Sequence, residues 1–239
     1  MKIALIGYGK MGHAIEEIAV KRKHSIELKI SIENTEDNTI ENLTKADVAI
    51  EFTGPDSAFE NINKCLEAGI PVVSGSTGWL QKYEEAVWNC KAQNGAFLYA
   101  SNFSIGVNIF FEINKRLAQL MASQQEYAVM LEETHHTQKL DSPSGTAITL
   151  AEQILAVNPF KKQWVNAKSD KPSDLEIISK RVDPAPGTHR VQYHSDTDDI
   201  DIIHTAHNRS GFALGAVLAA EFLYGRRGVF TMKDVLGLS

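Results

Sequence analysis

The chain has 239 residues, 43% of them hydrophobic and 23% charged, which is enough for one large domain or two smaller ones with separate cores. A net charge of −6 argues against nucleic acid or a membrane surface as partner, but not against a small anion held in a local positive pocket. Two cysteines without CxxC spacing (Cys65 and Cys90), a start without a signal-peptide core and the lack of any apolar run of spanning length lead to the expectation of a soluble, cytoplasmic protein with reduced thiols.

In chain order, KIALIG (2–7) is a short apolar run ending in glycine, as expected of a buried parallel strand. A helical pattern follows over 11–21, with Ile15, Ile18 and Ala19 on one face. IELKISI (26–32) and ADVAIEFT (46–53) are predicted strands. SAFENINKCLEAGI (57–70) is a helix with Phe59, Ile62, Cys65 and Leu66 at spacings of three and four. PVVSGST is the fourth strand, WLQKYEEAVWNCKAQNG a helix closed by glycine, and AFLYASN the fifth strand. This alternation predicts an α/β fold with an N-terminal, Rossmann-type doubly wound parallel sheet.

The rhythm then changes. Residues 106–122 form one long predicted helix and 127–135 a strand, and a helix begins near Ser144. Strand-like runs follow at LEIISKRV, HRVQYHS and IDIIHTAH. Strands in runs predict a C-terminal α+β domain with a mixed or antiparallel sheet. The expected division is a dinucleotide-binding domain over 1–104 and a substrate-binding, oligomerising domain over 105–210. The small-residue helix GFALGAVLAAEFLYG and the tail, about 211–239, pack back on the first domain.

IGYGKMG places Gly7, Gly9 and Gly12 in GxGxxG spacing between a strand and a helix, the context in which backbone amides and a helix N-terminus hold a pyrophosphate. Tyr8, Lys10 and Met11 fall in the same loop. Glu33, 21 residues beyond Gly12, stands where an acid accepts hydrogen bonds from an adenosine ribose. Asn34 follows it where an arginine would welcome a 2′-phosphate, which tilts the expectation toward NADH, although Lys10 could admit NADPH. Ligands of open α/β sheets bind beyond the strand carboxyl ends. Gly75, Ser76 and Thr77 and then Ala100, Ser101, Asn102 and Phe103 are therefore candidate nucleotide contacts or simple turns.

THHTQKLDSPSGTA (134–147) gathers His135, His136, Lys139, Asp141 and a helix start. Adjacent histidines on a strand face opposite ways, there is no HExxH, and HTAH (204–207) has the wrong spacing for a strand site, so no metal is expected. Pro143 ends the extended run, Ser144 can cap, and Gly145 and Thr146 offer first-turn amides to a carboxylate. With Lys139 and the histidines, this forms a receptor for a small di-acid beside a proton donor. Asp141 either orients Lys139 or closes the turn, and the turn is the favoured reading.

These residues resemble the dihydrodipicolinate reductase family. Residues 133–146 match its E-x-H-H-x-x-K-x-D-x-P-S-G-T signature at every fixed position, and EFT, SGSTGW, ASNFSIGVN and RSGFALGA follow in similar order over nearly the whole chain. The resemblance implies that His135 is the catalytic acid/base and Lys139 the proton donor. His136, Lys139, Ser144, Gly145 and Thr146 would hold substrate carboxylates, and the glycine loop, Glu33, 75–77 and 100–103 would hold the nucleotide. It further implies NAD(P)H-dependent reduction of a cyclic imine-type dicarboxylate with loss of water, in lysine and diaminopimelate biosynthesis, by a homotetramer joined through the second sheet. The sequence departs from the family in a glycine loop one residue shorter than in many relatives, in Asn34, and in a shortened segment over about 157–190. Another two-domain dehydrogenase would share the glycine loop but has no use for the His-His-Lys cluster. A nucleotide sensor without chemistry would have no need of Lys139.

Overall fold

The computed structural model describes residues 1–208 and 210–238, and the chain divides into two compact units, Met1–Ile105 with Ser210–Ser239, and Gly106–Arg209. Arg209, the first residue of RSGFALGA, lies outside the described residues.

The chain runs β1 (Lys2–Ile6), α1 (Lys10–Lys21), β2 (Ser25–Ile30), α2 (Ile40–Leu43), β3 (Val48–Glu51), α3 (Ala58–Glu67), β4 (Val72–Ser74), α4 (Tyr83–Ala92) and β5 (Ala96–Tyr99). It continues with α5 (Ile105–Met121), β6 (Ala128–His135), α6 (Gly145–Leu155), β7 (Gln163–Val165), β8 (Asp174–Arg181), β9 (Gly187–His194) and β10 (Asp199–Ala206), and ends with α7 (Ser210–Leu223), β11 (Gly228–Phe230) and α8 (Met232–Leu236).

The first unit is a six-stranded parallel sheet in the order β11-β5-β4-β3-β1-β2. Chain order reverses at β1, which lies between β2 and β3, and this is the switch point where open α/β sheets bind ligands. Ile3 to Ile6 of β1 are at most 1% exposed, as a strand covered on both faces requires. The expected helix faces are the buried ones: Ile15 and Ala19 of α1, and Phe59, Ile62, Cys65 and Leu66 of α3. The small residues of α7 let it lie close on the sheet, where Ala213, Ala216, Val217, Ala219 and Ala220 join Ile3, Leu5, Val48 and Ile50 in one core. Arg22 clamps α7 to α1 by donating to both Glu221 oxygens, at 2.8 and 2.7 Å. Cys65 and Cys90 are buried and unpaired.

Three elements carry too weak a local signal to be read from sequence. β11 has three residues and is a strand only because it adds to the edge at β5; α2 has four and β7 three. β2 also ends at Ile30, two residues early. There Asn34 closes a turn, its Oδ1 accepting from the Ser31 amide at 2.8 Å and its Nδ2 donating to the Lys29 carbonyl at 2.9 Å.

The second unit is a five-stranded mixed sheet, β10-β9-β6-β8-β7, antiparallel on one side of β6 and parallel on the other. Val129, Leu131, Ile177, Val191 and Tyr193 from its strands meet Leu150, Ala151 and Ile154 of α6 and Phe110 of α5 in a separate core. Burying each such side chain contributes roughly 1.5–3 kcal/mol before conformational entropy is charged against it. No helix among the described residues is long and apolar enough to cross a membrane.

Candidate active site

In the first unit a cleft of about 910 Å³ opens at the carboxyl ends of β1, β2 and β3, lined by Ile6, Gly7, Tyr8, Gly9, Ile30, Glu33, Phe52 and Thr53 among others. Gly7 has φ +96°, and a Cβ there would overlap the Phe52 carbonyl; a Cβ on Gly12 would come within 2.8 Å of the Gly7 carbonyl. A Cβ on Gly9 would meet nothing, so its backbone faces open space. A tight turn, an open approach and a close helix contact are the three requirements of a dinucleotide cradle, and the residues present fit one. Of the expected contacts, Gly7, Tyr8, Gly9 and Glu33 line this cleft; Lys10 is exposed at the head of α1. Tyr8 donates its hydroxyl to Glu16, which is also paired with Lys29 at 2.7 Å.

The strand ends beside the cleft are organised by one buried carboxylate. Glu51, fully buried at the end of β3, accepts from the Thr53 amide at 2.9 Å, the Ser76 hydroxyl at 2.7 Å and the Ser74 hydroxyl at 2.6 Å. Trp79, also buried, donates to the Ser76 carbonyl at 2.8 Å, and Gly75 leaves room for the Phe52 ring. Phe103, expected as a nucleotide contact, has its ring packed in the core. Its ring lies 5.5 Å from that of Phe52, and Gly215 of α7 seats against its carbonyl.

In the second unit β6 ends at His135. Its inward positions are Val129, Leu131, Glu133 and His135, so Glu133 and His135 share a face, and Glu133 is directly opposite His189 on β9. His135 Nε2 lies 3.4 Å from His189 Nε2 and 3.4 Å from Glu133 Oε2, and His189 Nε2 lies 3.6 Å from the same oxygen. Glu133 further accepts from the Ser144 amide at 3.1 Å, the Ser179 hydroxyl at 2.8 Å and the Arg181 guanidinium at 3.3 Å. Burial alone would raise its carboxyl; the hydrogen bonds from His135, His189, Ser144 and Ser179 outweigh that and hold it well below the usual carboxylate range. Burial lowers the His189 imidazole, against the opposing pull of Glu133.

The chain then curls back over this group. Val182 N donates to the His135 carbonyl at 2.7 Å, and Thr137 N donates to Asp183 Oδ1 at 3.1 Å. Arg181 donates to the Lys139 and Asp141 carbonyls, at 3.3 and 2.6 Å. Ser144 caps α6, its Oγ accepting from Ala147 N at 3.2 Å and lying 3.0 Å from His189 Nε2. His136 is half-buried, and its buried Nδ1 has no hydrogen-bond partner among the described residues. Lys139 Nζ donates to both Asp141 oxygens, at 2.7 and 2.8 Å.

Comparison with known proteins matches the dihydrodipicolinate reductase N-terminal family model to residues 1–103 and the C-terminal model to residues 106–236. The chain belongs to the dihydrodipicolinate reductase family. A relative from Christiangramia forsetii, named 4-hydroxy-tetrahydrodipicolinate reductase, is 54% identical over 99% of this chain and 98% of its own length. One of the same name from Neisseria meningitidis serogroup A is 31% identical over 94% of this chain and 84% of its own. The solved structure of a dipicolinate-bound dihydrodipicolinate reductase from Paenisporosarcina shares the fold with TM-score 0.76, at 22% identity over 98% of each chain.

Two sequence expectations about the family signature change against the geometry. Asp141, favoured as a turn former, is the partner of Lys139, whose ammonium outweighs burial to keep the Asp141 carboxyl below its ordinary range. Ser144 spends its amide on Glu133 and its hydroxyl within the protein, which leaves Gly145 as the open face of the turn: a Cβ there would meet nothing. The metal question also moves. Ligand-capable atoms of Glu133, His135 and His189 lie within 4.8 Å of one another across two strands, a spread that a metal ion could also bridge. Hydrogen bonds and the Arg181 guanidinium engage that carboxylate here. Sequence reasoning missed Glu133, His189 and Arg181 as site residues. The i, i+2 alternation of β6 could have given Glu133, whereas His189 and Arg181 arrive through pairing of strands far apart in sequence.

Proposed function

We infer that the protein is a 4-hydroxy-tetrahydrodipicolinate reductase of diaminopimelate and lysine biosynthesis. The observation that carries this reading is the family signature, intact from Glu133 to Thr146 and folded as one cluster, in a chain 54% identical to a reductase of that name. A nicotinamide nucleotide in the first unit's cleft would supply the hydride. His135 exchanges a proton with the substrate, and Lys139, held by Asp141, donates a proton and meets a carboxylate. His136 and the amides of Gly145 and Thr146 hold the substrate's carboxylates, and Ser144 acts by shaping that turn. The substrate gains one hydride and one proton and releases its hydroxyl as water.

NADH is the preferred nucleotide in this reading. Glu33 lines the cleft, and Asn34 is committed to its turn, where an arginine would have faced a 2′-phosphate. The 1–104 segment with the tail from 211 binds nucleotide, and 105–210 binds substrate and assembles the protein as a cytoplasmic homotetramer. Support for assembly comes from Ile200 and Ile203, exposed on β10 at the edge of the mixed sheet. Sedimentation at four times the 26.4 kDa chain mass is expected, and a monomer would refute it.

The test of activity couples the protein to dihydrodipicolinate synthase fed with pyruvate and aspartate semialdehyde, with NADH and NADPH followed separately. Oxidation that requires both precursors and runs faster with NADH is expected. A protein that binds NADH but oxidises neither nucleotide under these conditions is not this reductase.

A further inference from the structure

His189 and Glu133 belong to no expected site, yet they close one edge of the His135 ring. Both approach His135 at Nε2, whereas the backbone of Gly187 packs against the opposite edge: a Cβ built there would lie 2.9 Å from His135 Cε1 and 3.2 Å from Nδ1. Any other residue at 187 would lie on that edge.

The hydrogen-bond inventory decides where the protons sit. His189 Nδ1 is buried and has no partner among the described residues, whereas its Nε2 faces Ser144 Oγ, His135 Nε2 and Glu133 Oε2. A proton on Nδ1 would leave a buried N–H unsatisfied, at a cost of about 1–3 kcal/mol, so neutral His189 carries its proton on Nε2. Glu133 is ionised, and a buried carboxylate 3.4 Å from His135 Nε2 draws a proton to that nitrogen. Among the described residues, the other charged or titratable groups facing the pair are Arg181 from β8, Lys139 with Asp141 from the segment after β6, and His204 from β10.

We propose that Glu133 is a positioning residue that holds a proton on His135 Nε2, while His189 turns its own Nε2 proton to Ser144 Oγ, so that His135 exchanges its catalytic proton through Nδ1, beneath Gly187. This rests on the reductase reading above. In the step itself the Nδ1–H bond of the imidazolium breaks, its electron pair stays on Nδ1, the proton passes to the substrate as the hydride arrives, and the Nε2 proton stays toward Glu133.

The test uses full-length protein with ¹⁵N-labelled histidine, in which long-range ¹H–¹⁵N correlations report the tautomer of each ring, with His135→Asn identifying the His135 signals. At a pH where the ring is neutral, wild type is expected to show His135 with a protonated Nε2 and a bare Nδ1, and Glu133→Gln to shift or mix that tautomer. Turnover should fall roughly 10–10²-fold with little change in nucleotide KM, and Glu133→Asp should recover part of it. A wild-type ring protonated on Nδ1 overturns the proposal without need of any variant, as does a tautomer untouched by Glu133→Gln. Stoichiometric zinc that survives dialysis of wild type but not of His189→Asn would also overturn it, because a metal would then hold those lone pairs. Failure of the coupled assay in wild type removes the reductase reading separately and leaves the tautomer result standing.

Discussion

Each unit of the molecule is built around one fully buried glutamate at or near the end of a strand, and the two are satisfied by different chemistry. Glu51 in the parallel sheet is surrounded by neutral donors, the hydroxyls of Thr53, Ser74 and Ser76 and one amide. Glu133 in the mixed sheet is surrounded by two histidines and an arginine as well as two serines. Neutral donors cannot exchange protons near pH 7, so Glu51 builds a frame: it ties the ends of β3 and β4 together beside the first unit's cleft. Titratable donors can, so the same residue type in the other unit makes a proton-handling centre.

The comparison breaks first at the proton. His135→Ala should lower turnover by roughly 10²–10⁴-fold, the range for a positioned acid or base, with NADH affinity unchanged by fluorescence titration. Near-normal turnover would remove the distinction between the two centres. Next in size is stability. Glu51→Ala leaves several buried donors unpaired and should cost about 3 kcal/mol in urea unfolding, with its activity effect in nucleotide KM rather than in turnover. A loss below about 0.5 kcal/mol would mean that Glu51 is not a frame.

How much of this could be read from the chain follows the same line. The five alternating strands and helices, the glycine loop and the signature from Glu133 to Thr146 are local patterns, visible as apolar periodicity and turn residues in short windows. β11, α2 and β7 are only three or four residues long and owe their structure to neighbours far along the chain. The two glutamates were in plain view as letters, in EFT and ETHH, and the alternation of β6 turns Glu133 inward, but nothing local marks what satisfies either carboxylate. That depends on Ser74 and Ser76 reaching Glu51 across β3 and β4, and on register bringing His189 opposite Glu133. Phe103 follows the end of β5, and its place in the core is set by α7, more than a hundred residues later.

The third effect is a pH dependence. The Glu133 carboxyl is held below its ordinary value of 4.5, so folding is favoured by its ionised form above that pH, and this contribution is lost progressively as pH falls below it. His189, lowered from 6.5, acts in the same direction: the unfolded chain takes up its proton first, so stability declines as pH drops below about 6.5. Urea midpoints measured from pH 7 to pH 3 should therefore fall, and fall less steeply in Glu133→Gln. Identical slopes would contradict the assigned burial of charge. The smallest effect is expected at the cleft rim, where Glu33→Ala should raise KM several-fold for NADH and less for NADPH, a difference of about 1 kcal/mol. Equal changes would remove Glu33 from ribose recognition.

The most direct measurement compares Glu133→Gln and Glu51→Gln in one coupled assay, with NADH varied up to saturation and rates normalised to folded protein. Glu133→Gln is expected to lose turnover roughly 10–10²-fold at nearly constant nucleotide KM, and Glu51→Gln to show its loss in that KM. Full turnover in Glu133→Gln, or the same pattern in both variants, would contradict the assignment of proton chemistry to one buried glutamate and framework to the other.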